Sequence, residues 1–409
     1  MNVPKIRFKE FSQEWYTAQL GELGKTYSGV GFPEKEQGGR IGIPFYKVSD
    51  MNNVGNETVM TNSNNYVTTD QINSNRWKLS SYPAIFFAKV GAAVLLNRKR
   101  LVLAPSLCDN NTMMYCLNPE KWNDYFCLKL FDNIDLASLA QTGSLPSYNG
   151  TMVERISVCL PLDISEQNKI AYFFKNMDSL IESTDKKIAL LKQTKQACLQ
   201  SMFPQLGETR PRVRFKGFIK EWDKKKIGEI STSSKGNGYS KSDLRDNGVP
   251  IVLYGRMYTR YSFEMDNIDT FATHKDSAVY SKGNEVVIPA SGETAEDIAV
   301  AAAIKQKGVI LGGDLNVLTF SDNYLPSFMA LCISNTKTHY ELSRYAQGKS
   351  VVHLRNNDIA KGTVFCPCLE EQQQIASFFS NLDKQINSLE QRLKKLMQIK
   401  ETSLEKMFV

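Results

Sequence analysis

The sequence lacks a hydrophobic run long enough to span a membrane. Its most apolar stretch, residues 84–96, is interrupted by Lys89 and is far shorter than the roughly 20 residues that a membrane-spanning helix needs. The first ten residues are rich in charge and have no apolar core, so they predict neither a signal peptide nor a transit peptide. We therefore expect a cytoplasmic protein.

Histidine is scarce, with three in 409 residues, and the eight cysteines are scattered. Scattered cysteines in a long chain are typical of reduced thiols in the cytosol rather than of a disulfide framework. Cys366 and Cys368 form a close pair, but no second pair at zinc-site spacing accompanies them. We interpret these two cysteines as small buried residues of the core, and we predict no metal site.

Catalytic signatures are missing as well. The sequence contains no G-x-G-x-x-G, H-E-x-x-H or G-x-S-x-G motif, and no glycine motif for S-adenosylmethionine. Residues 348–350, Gly-Lys-Ser, resemble the end of a phosphate loop, but Ser343 stands where that loop requires glycine. The sequence therefore predicts a binding protein that has no active site and binds no cofactor of its own.

The composition is that of an ordinary globular protein, with 42% hydrophobic and 23% charged residues. The net charge of +7 permits an anionic partner such as nucleic acid without requiring one. Length alone predicts two or three domains, at roughly 150 residues per domain.

The chain is an internal duplication with a period of about 205 residues. The pattern Phe-x-x-Phe-x-x-Glu-Trp covers residues 8–15 and recurs over residues 215–222. The pattern Glu-Gln-x-x-Ile-x-x-Phe-Phe covers residues 166–174 and recurs over residues 371–379. We interpret the two tryptophans of the first pattern, Trp15 and Trp222, as core anchors of the two copies.

The copies differ between their matched ends. Short apolar runs bounded by Gly, Asn, Asp and Pro predict several strands in each copy. Residues 92–96 of the first copy and 299–304 of the second are interpreted as equivalent strand-like runs. Short helices are predicted near residues 122–134 and 325–334. A shared frame around a divergent centre indicates one scaffold that presents two different binding surfaces.

An apolar seam with a period of 3.5 residues runs through the last part of each copy. It is kept for five heptads without Gly or Pro, which predicts two helices of about 37 residues, or roughly 55 Å each. The residues predicted to form the helix-pair interface are Ile170, Phe174, Met177, Ile181, Ile188, Leu191, Ile375, Phe379, Leu382, Ile386, Leu389, Leu393 and Leu396.

Two such seams in one chain most simply bury each other. We predict an α+β protein in which the helices pair as an antiparallel coiled coil with approximate twofold symmetry. Each helix packing only on its own domain, and a coiled coil between two chains, are the alternatives. The predicted boundaries are 1–163 for the first globular domain, 164–206 for the first helix, 207–369 for the second globular domain and 370–409 for the second helix.

Polar loops between the strand-like runs supply candidates for contacts to nucleic acid. Phosphates require cations, and base edges require amide, hydroxyl or basic side chains. Residues 141–144 and 347–350 rank highest, because each segment precedes the strand that leads into a long helix. The candidate DNA-binding residues are Asn75, Arg76, Arg98, Lys99, Gln141, Thr142, Ser144, Tyr148, Lys235, Asn237, Arg256, Tyr258, Ser291, Gln347, Lys349, Ser350 and Arg355.

These patterns resemble the DNA-specificity subunit of type I restriction–modification enzymes. The resemblance rests on the repeated pattern that ends in Glu-Trp, on Ser-Gly-Glu-Thr at residues 291–294, and on Pro161 and Pro367 preceding the two Glu-Gln-x-x-Ile helices. It covers essentially the whole chain. The duplicated Glu-Gln helix is its most specific feature.

The resemblance implies that residues 1–163 and 207–369 are target-recognition domains, each reading one half of a bipartite DNA sequence, with spacer helices between them. It also implies two methyltransferase subunits that methylate adenine with S-adenosylmethionine, and two nuclease–translocase subunits that use ATP and Mg²⁺. Because target-recognition domains vary freely, the resemblance assigns no base-contacting residue. The missing catalytic motifs agree with chemistry that belongs to other chains.

Two other functions are weighed against this one. A coiled-coil scaffold whose globular domains bind protein partners would account for the helices, but it gives no reason for two dissimilar, loop-rich domains on one frame. A self-contained methyltransferase or nuclease is disfavoured by the missing motifs.

Overall fold

The computed structural model describes residues 2–140 and 145–409. The chain forms two compact units. Unit 1 comprises the residues up to Asp185 together with Gln391–Val409, and unit 2 is Lys186–Glu390. Each unit therefore combines residues of both sequence repeats.

Unit 1 is a mixed α/β unit built on a four-stranded antiparallel sheet. Its strands are β1 (Tyr16–Gln19), β2 (Gly24–Ser28), β3 (Ile43–Tyr46), β4 (Tyr66–Val67), β5 (Ala84–Ala88), β6 (Lys99–Val102), β7 (Leu107–Cys108), β8 (Thr112–Leu117) and β9 (Ser157–Leu160). Its helices are α1 (Leu20–Leu23), α2 (Thr69–Ser74), α3 (Asp124–Asn133), α4 (Gly150–Glu154), the first part of α5 (Ile164–Ser201) and the last part of α12 (Leu369–Met407). The sheets have the strand orders β2-β8-β5-β6, β4-β3-β7 and β1-β9.

Strand β5, Ala-Ile-Phe-Phe-Ala, is apolar throughout because its sheet is covered on both faces. Ile85 and Phe87 pack with Phe126 and Phe131 of α3 in one hydrophobic cluster, whereas Phe86 belongs to a second cluster. Helix α3 lies where the sequence predicts a helix, and its N-cap is an Asn side chain that accepts a hydrogen bond.

Unit 2 repeats this plan. Its strands are β10 (Asp223–Lys226), β11 (Ser231–Lys235), β12 (Leu244–Arg245), β13 (Val249–Val252), β14 (Glu264–Met265), β15 (Phe271–Ala272), β16 (Glu285–Pro289), β17 (Ser291–Gly292), β18 (Ala302–Ile304), β19 (Ile310–Leu311), β20 (Leu315–Phe320), β21 (Val352–His353) and β22 (Thr363–Cys366). Its helices are α6 (Ile227–Ile230), α7 (Arg256–Thr259), α8 (Ala295–Ile298), α9 (Pro326–Asn335), α10 (Lys337–Tyr345), α11 (Asn356–Ile359), the last part of α5 and the first part of α12 (Leu369–Met407).

The main sheet of unit 2 has the order β11-β20-β16-β18-β14, and a second sheet has the order β12-β15-β13-β19. The remaining strands form two two-stranded sheets, β10-β22 and β17-β21. Strand β16 occupies the place of β5 and is buried along its length. Helix α9, with proline at its start, confirms the second predicted short helix.

The long helices α5 and α12 have 38 and 39 residues, close to the predicted length. They are antiparallel within each unit. In unit 1, Asp178 Oδ1 lies 2.6 Å from Lys400 Nζ. In unit 2, Lys195 Nζ lies 2.5 Å from Asp383 Oδ1 and Lys192 pairs with Glu390. Every residue predicted for the helix-pair interface is buried or half-buried.

An aromatic cluster closes each unit at the frame tryptophan, which is buried in both copies as predicted. In each cluster, a phenylalanine from the end of one long helix contacts the other long helix, the tryptophan and the short helix of the unit. The clusters are Trp15, Phe126, Phe174 and Phe408 in unit 1, and Trp222, Phe328, Phe379 and Phe203 in unit 2.

The Glu-Gln pattern has a structural reason in both units. Glu166 accepts two hydrogen bonds from the Arg7 guanidinium, at 2.7 and 2.8 Å, and so ties the N-terminal frame to the start of α5. Gln167 donates to the Lys121 carbonyl and accepts from the Asn123 amide at the start of α3. The repeat does the same.

In unit 2, Glu371 accepts two hydrogen bonds from Arg214, at 2.8 and 2.7 Å. Gln372 donates to the Asn323 carbonyl and accepts from the Leu325 amide at the start of α9. The pattern thus fixes three pieces of each unit to one another.

Two local predictions are wrong. Residues 92–96 form a 3₁₀ turn, Ala92–Leu96, rather than a strand, because Gly91 has a φ of 89° and turns the chain out of the sheet. Cys366 is buried as predicted, but Cys368 is exposed, because it lies beyond the end of β22 and directly precedes α12. Within residues 2–140 and 145–409, no helix is long and apolar enough to cross a bilayer.

Candidate nucleic-acid interface

Three loops of unit 1 meet at one end of the central strand β5. We call residues 89–97, 110–111 and 145–149 the first loop cluster. The backbone amide of Lys89 donates to the Asn111 carbonyl at 2.9 Å, and the amide of Tyr148 donates to the Lys89 carbonyl at 3.2 Å. A bridge joins Val90 to Ser147. Segments that are far apart in sequence are thereby held against one another.

Unit 2 builds the same arrangement at the end of β16. We call residues 290–299, 313–314 and 347–355 the second loop cluster. The amide of Ala290 donates to the Asp314 carbonyl at 2.8 Å, and the amide of Leu354 donates to the Ala290 carbonyl at 3.0 Å. Ser291 is paired with His353 in the β17-β21 ladder. The backbone contacts of the first cluster therefore recur in the second.

The side chains of the two clusters differ in chemistry. The first cluster presents Lys89 and the exposed amides of Asn110, Asn111 and Asn149. The second presents carboxylates on one loop, at Glu293, Glu296 and Asp297, and exposed Lys349, His353 and Arg355 on another. Amides pair with adenine, basic side chains with guanine or phosphate, and carboxylates with the cytosine amino group, so the two clusters are suited to different base sequences.

A tight turn shapes the second cluster. Gly348 has a φ of 139°, and a side chain added there would lie 1.9 Å from the Val351 carbonyl oxygen. Gln347 and His353 exchange two backbone hydrogen bonds, at 3.0 and 2.8 Å, across this turn. Residues 349–351 are consequently held at an exposed tip.

Six of the predicted DNA-binding residues lie in the second cluster or against it. Tyr258 joins the cluster because its hydroxyl donates to the Ser291 carbonyl at 2.8 Å. Burial raises the pKa of the Tyr258 hydroxyl, so it stays a neutral donor. The Ser291 hydroxyl is itself bonded to Asp314 within the protein. The six residues are Tyr258, Ser291, Gln347, Lys349, Ser350 and Arg355.

Arg256 lies outside that cluster, on helix α7. Its guanidinium contacts Asp269 Oδ1 at 2.6 Å, and Arg260 contacts the other carboxylate oxygen. These bonds hold the pKa of the Asp269 carboxyl below its usual value, the bond from Arg256 having the largest effect. Two cations share one carboxylate, which leaves a net positive charge on this surface.

The other predicted residues are dispersed. Asn75 and Arg76 follow helix α2, where Asn75 bonds the Gln71 carbonyl at 2.9 Å. Arg98 donates to the Asn52 side chain at 2.7 Å. Lys235 is exposed at the end of β11, and Asn237 donates to the Ser277 carbonyl. Gln141, Thr142 and Ser144 lie outside the described residues.

Ser291 is 8% exposed and its hydroxyl is bonded to Asp314 inside the protein, so the prediction that it contacts DNA needs correction. Two further predictions need correction because the side chains are buried. Tyr148 is 6% exposed, and its hydroxyl donates to the Ala88 carbonyl at 2.5 Å. Lys99 is 4% exposed and donates to the Ile134 carbonyl at 2.7 Å. Burial lowers the pKa of Lys99 to about 8. Both residues support the loops from inside the protein and leave no surface for a base or a phosphate.

Sequence reasoning missed the half-buried Lys89 and the exposed Asn110 and Asn111. The signal for them was positional, since Lys89 directly follows β5 and the two asparagines form the turn between β7 and β8. Neither position stands out by residue type alone. Among residues 2–140 and 145–409, no group of three or more His, Cys, Asp or Glu side chains is arranged to hold a metal ion.

Comparison with known proteins gives consistent matches. A family model described as "Type I restriction modification DNA specificity domain" matches residues 12–193 and residues 219–398. The type I restriction enzyme MjaVIII specificity subunit of Methanocaldococcus jannaschii is 21% identical over 300 residues, which cover 67% of this chain and 68% of that protein.

Solved structures share the fold over the full length. The S subunit of a type I restriction-modification system from M. genitalium matches with a TM-score of 0.62 at 14% identity, covering 100% of this chain and 99% of that chain. A chain from a structure of the assembly and conformational transition of the type I R-M system matches with a TM-score of 0.52 at 15% identity, covering 98% of this chain and 99% of that chain. Two copies of one domain in tandem agree with the duplication seen in the sequence.

Proposed function

The chain belongs to the family of type I restriction modification DNA specificity proteins, and from this premise we propose that it reads a bipartite DNA target, one half-site with each loop cluster. The observation that supports this proposal is that one backbone arrangement recurs in both units with two different sets of side chains. The same backbone hydrogen bonds, present in both units, fix where the loops stand, and the divergent side chains set which bases they accept. Two half-sites of different sequence follow from two clusters of different chemistry.

The family is non-catalytic, and we propose that catalysis belongs to partner chains. In this proposal, two methyltransferase subunits use S-adenosylmethionine to methylate adenine within the target. Two restriction subunits use ATP and Mg²⁺ for translocation and cleavage. The specificity chain positions both on the DNA sequence that it reads.

Helices α5 and α12 connect the two readers, since each helix begins in one unit and ends in the other. We assign to these helices the spacing between the half-sites. A helix that is packed along its seam is a stiff connector, so the number of base pairs left unread is set by helix length.

Methylome sequencing of cells with and without this chain tests the proposal. The expected result is the loss of one bipartite adenine-methylation motif when the chain is deleted, and its return on complementation. If every methylated motif survives deletion, the proposed function is wrong. A scaffold that binds only proteins would also leave the purified complex without sequence preference on duplex DNA at any salt concentration.

A further inference from the structure

Three leucines of the first loop cluster stand in solvent. Leu95 and Leu96 are 64% and 60% exposed, and Leu145 is 59% exposed. Leu145 reaches across to the other loop, where it lies beside Gly91. Single exposed leucines are common on protein surfaces, but two consecutive ones on a loop whose start a third approaches form an apolar tip that requires an explanation.

The backbone imposes this exposure. Gly91 and Asn97 bracket the Ala92–Leu96 turn with positive φ values of 89° and 49°. Val94 anchors the turn in the core, while the Asn97 side chain donates to the Ile134 carbonyl at 3.2 Å and accepts from the Leu136 amide at 3.0 Å. Held at both ends, the turn cannot fold its two leucines back onto the protein.

The surroundings of the tip favour DNA as its partner. Lys89 precedes the Ala92–Leu96 turn, and its backbone amide donates to the Asn111 carbonyl. A residue with a cationic side chain and one with an amide side chain are therefore held together next to the leucines. Cations and amides are the groups that contact phosphates and base edges. At the corresponding place in unit 2, the α8 loop carries Glu293 and Glu296. The apolar tip is therefore particular to the first cluster.

We propose that Leu95 and Leu96, together with Leu145 beside Gly91, read thymine methyl groups in the half-site of unit 1. The C5 methyl of thymine is the apolar feature that a base pair displays in the major groove, where side chains recognise it by apolar contact. This assignment rests on the proposed function and adds to it, because it states that the A·T pairs of one half-site are identified through their thymine methyl groups. The second cluster, with its carboxylates, reads its half-site by hydrogen bonds.

The test uses the full chain in complex with its methyltransferase and the target defined by methylome sequencing. Thymines of one half-site at a time are replaced by deoxyuridine, which pairs identically but lacks the methyl group. We expect deoxyuridine in one half-site to weaken binding about fourfold for each contacted methyl, and deoxyuridine in the other half-site to have little effect.

The double variant L95A/L96A is the decisive test of whether these two leucines contact the methyl groups. It is expected to bind thymine and deoxyuridine duplexes with equal affinity while its unfolding curve stays that of the wild type. The control Leu206→Ala removes a leucine that is 80% exposed outside both clusters and keeps the preference for thymine.

The inference fails if deoxyuridine changes nothing in either half-site, or if L95A/L96A keeps the preference. Leucines that wedge between base steps would be indifferent to the methyl group and would give the first of these results. A variant that loses the methyltransferase but keeps the preference would show a protein-docking tip and would overturn the inference too. In each of these results the methylation motif still depends on the chain. A failure of this inference is therefore distinguishable from a failure of the proposed function.

Discussion

Arg7 and Arg214 make equivalent contacts with nearly buried carboxylates. The Arg7 side chain is 11% exposed and that of Glu166 is 2% exposed, and their hydrogen bonds raise the pKa of the arginine. Removing one partner of such a pair leaves a buried charge. We expect Arg7→Ala to lower the free energy of unfolding of unit 1 by about 3 kcal/mol, and Arg214→Ala to do the same in unit 2.

Urea unfolding, monitored by the hydrogen exchange of each unit, measures these decreases in the free energy of unfolding. The exposed pair Lys192–Glu390 offers a matched control, because its side chains are 58% and 42% exposed. Lys192→Ala is expected to cost less than about 1 kcal/mol. Equal losses for the buried and the exposed pair would contradict the structural importance given to the Glu-Gln pattern.

Asp178 makes the stability of unit 1 depend on pH. Burial raises the pKa of its carboxyl, but Lys129, Lys400 and Tyr125 outweigh burial and lower the pKa below its usual value. The stabilisation from the charged carboxylate is therefore complete above the unfolded pKa of about 3.9 and is lost as the pH falls through the lower folded value.

We expect the difference in unfolding free energy between wild type and Asp178→Asn to be largest near pH 7 and to shrink below about pH 4. Urea titrations at pH values from 2.5 to about 7 measure this difference. A difference that stays constant down to the lowest pH would rule out the charged network as its source.

Lys349 and Lys99 compare a surface lysine with a buried one. Lys349 stands on the exposed tip of the second cluster, whereas Lys99 is buried against the Ile134 carbonyl. If Lys349 contacts a phosphate, Lys349→Ala is expected to reduce the slope of log affinity against log salt by about one. Lys99→Met is expected to leave the slope unchanged, and fluorescence anisotropy at several salt concentrations compares the two variants. A reduced slope for Lys99→Met would reverse the assignment.

At this scale the sequence is an incomplete guide. Tyr148 and Lys99 have the polar character of DNA contacts and lie in segments that the sequence predicts as loops, yet both point into the protein, because backbone carbonyls of Ala88 and Ile134 need donors there. A side chain's type does not tell which of two acceptors, carbonyl or base, it faces.

At the scale of elements, helices were predictable and loop clusters were not. The seam of α5 and α12 can be seen in the sequence because an apolar residue returns every three or four positions within one segment. The first loop cluster joins Lys89, Asn111 and Tyr148 through backbone groups. Such bonds are separated along the chain and have no side-chain signature, so no pattern predicts them.

Helix length offers an element-scale prediction. Inserting one heptad into both α5 and α12 preserves the 3.5-residue seam and adds roughly 10 Å to each helix. At about 3.4 Å per base pair, the unread gap in the methylated motif is expected to widen by about three base pairs, with both half-sites unchanged. Methylome sequencing reads the gap directly. An unchanged gap in a folded variant would refute the spacing role of the helices.

At the scale of the whole molecule, sequence repeats and folded units do not coincide. Phe408 belongs to the second repeat in sequence but packs against Trp15, Phe126 and Phe174 of unit 1, with ring centroids at 6.3, 5.3 and 6.0 Å. Phe203 occupies the equivalent place in unit 2. The exchange of helix ends between repeats is thus part of each core.

Phe408→Ala and Phe203→Ala form a matched pair of variants. We expect Phe408→Ala to destabilise unit 1, including residues near Trp15, by about 2 kcal/mol because Phe408 is half-buried, and Phe203→Ala to destabilise unit 2 by about 3 kcal/mol because Phe203 is fully buried. Hydrogen exchange resolved by peptide measures each unit separately. If Phe408→Ala increased exchange mainly in unit 2, the assignment of the C-terminal residues to unit 1 would be wrong.

The place of residues 391–409 in unit 1 has a consequence for synthesis on the ribosome. Unit 2 emerges whole between the two parts of unit 1, and at roughly 5–20 residues per second its chain takes on the order of 10–40 seconds to make. During that time Trp15, Phe126 and Phe174 lack the partner that Phe408 supplies. The first unit to be translated is the last to complete its core, and we expect the aromatic surface left open until then to be prone to aggregation.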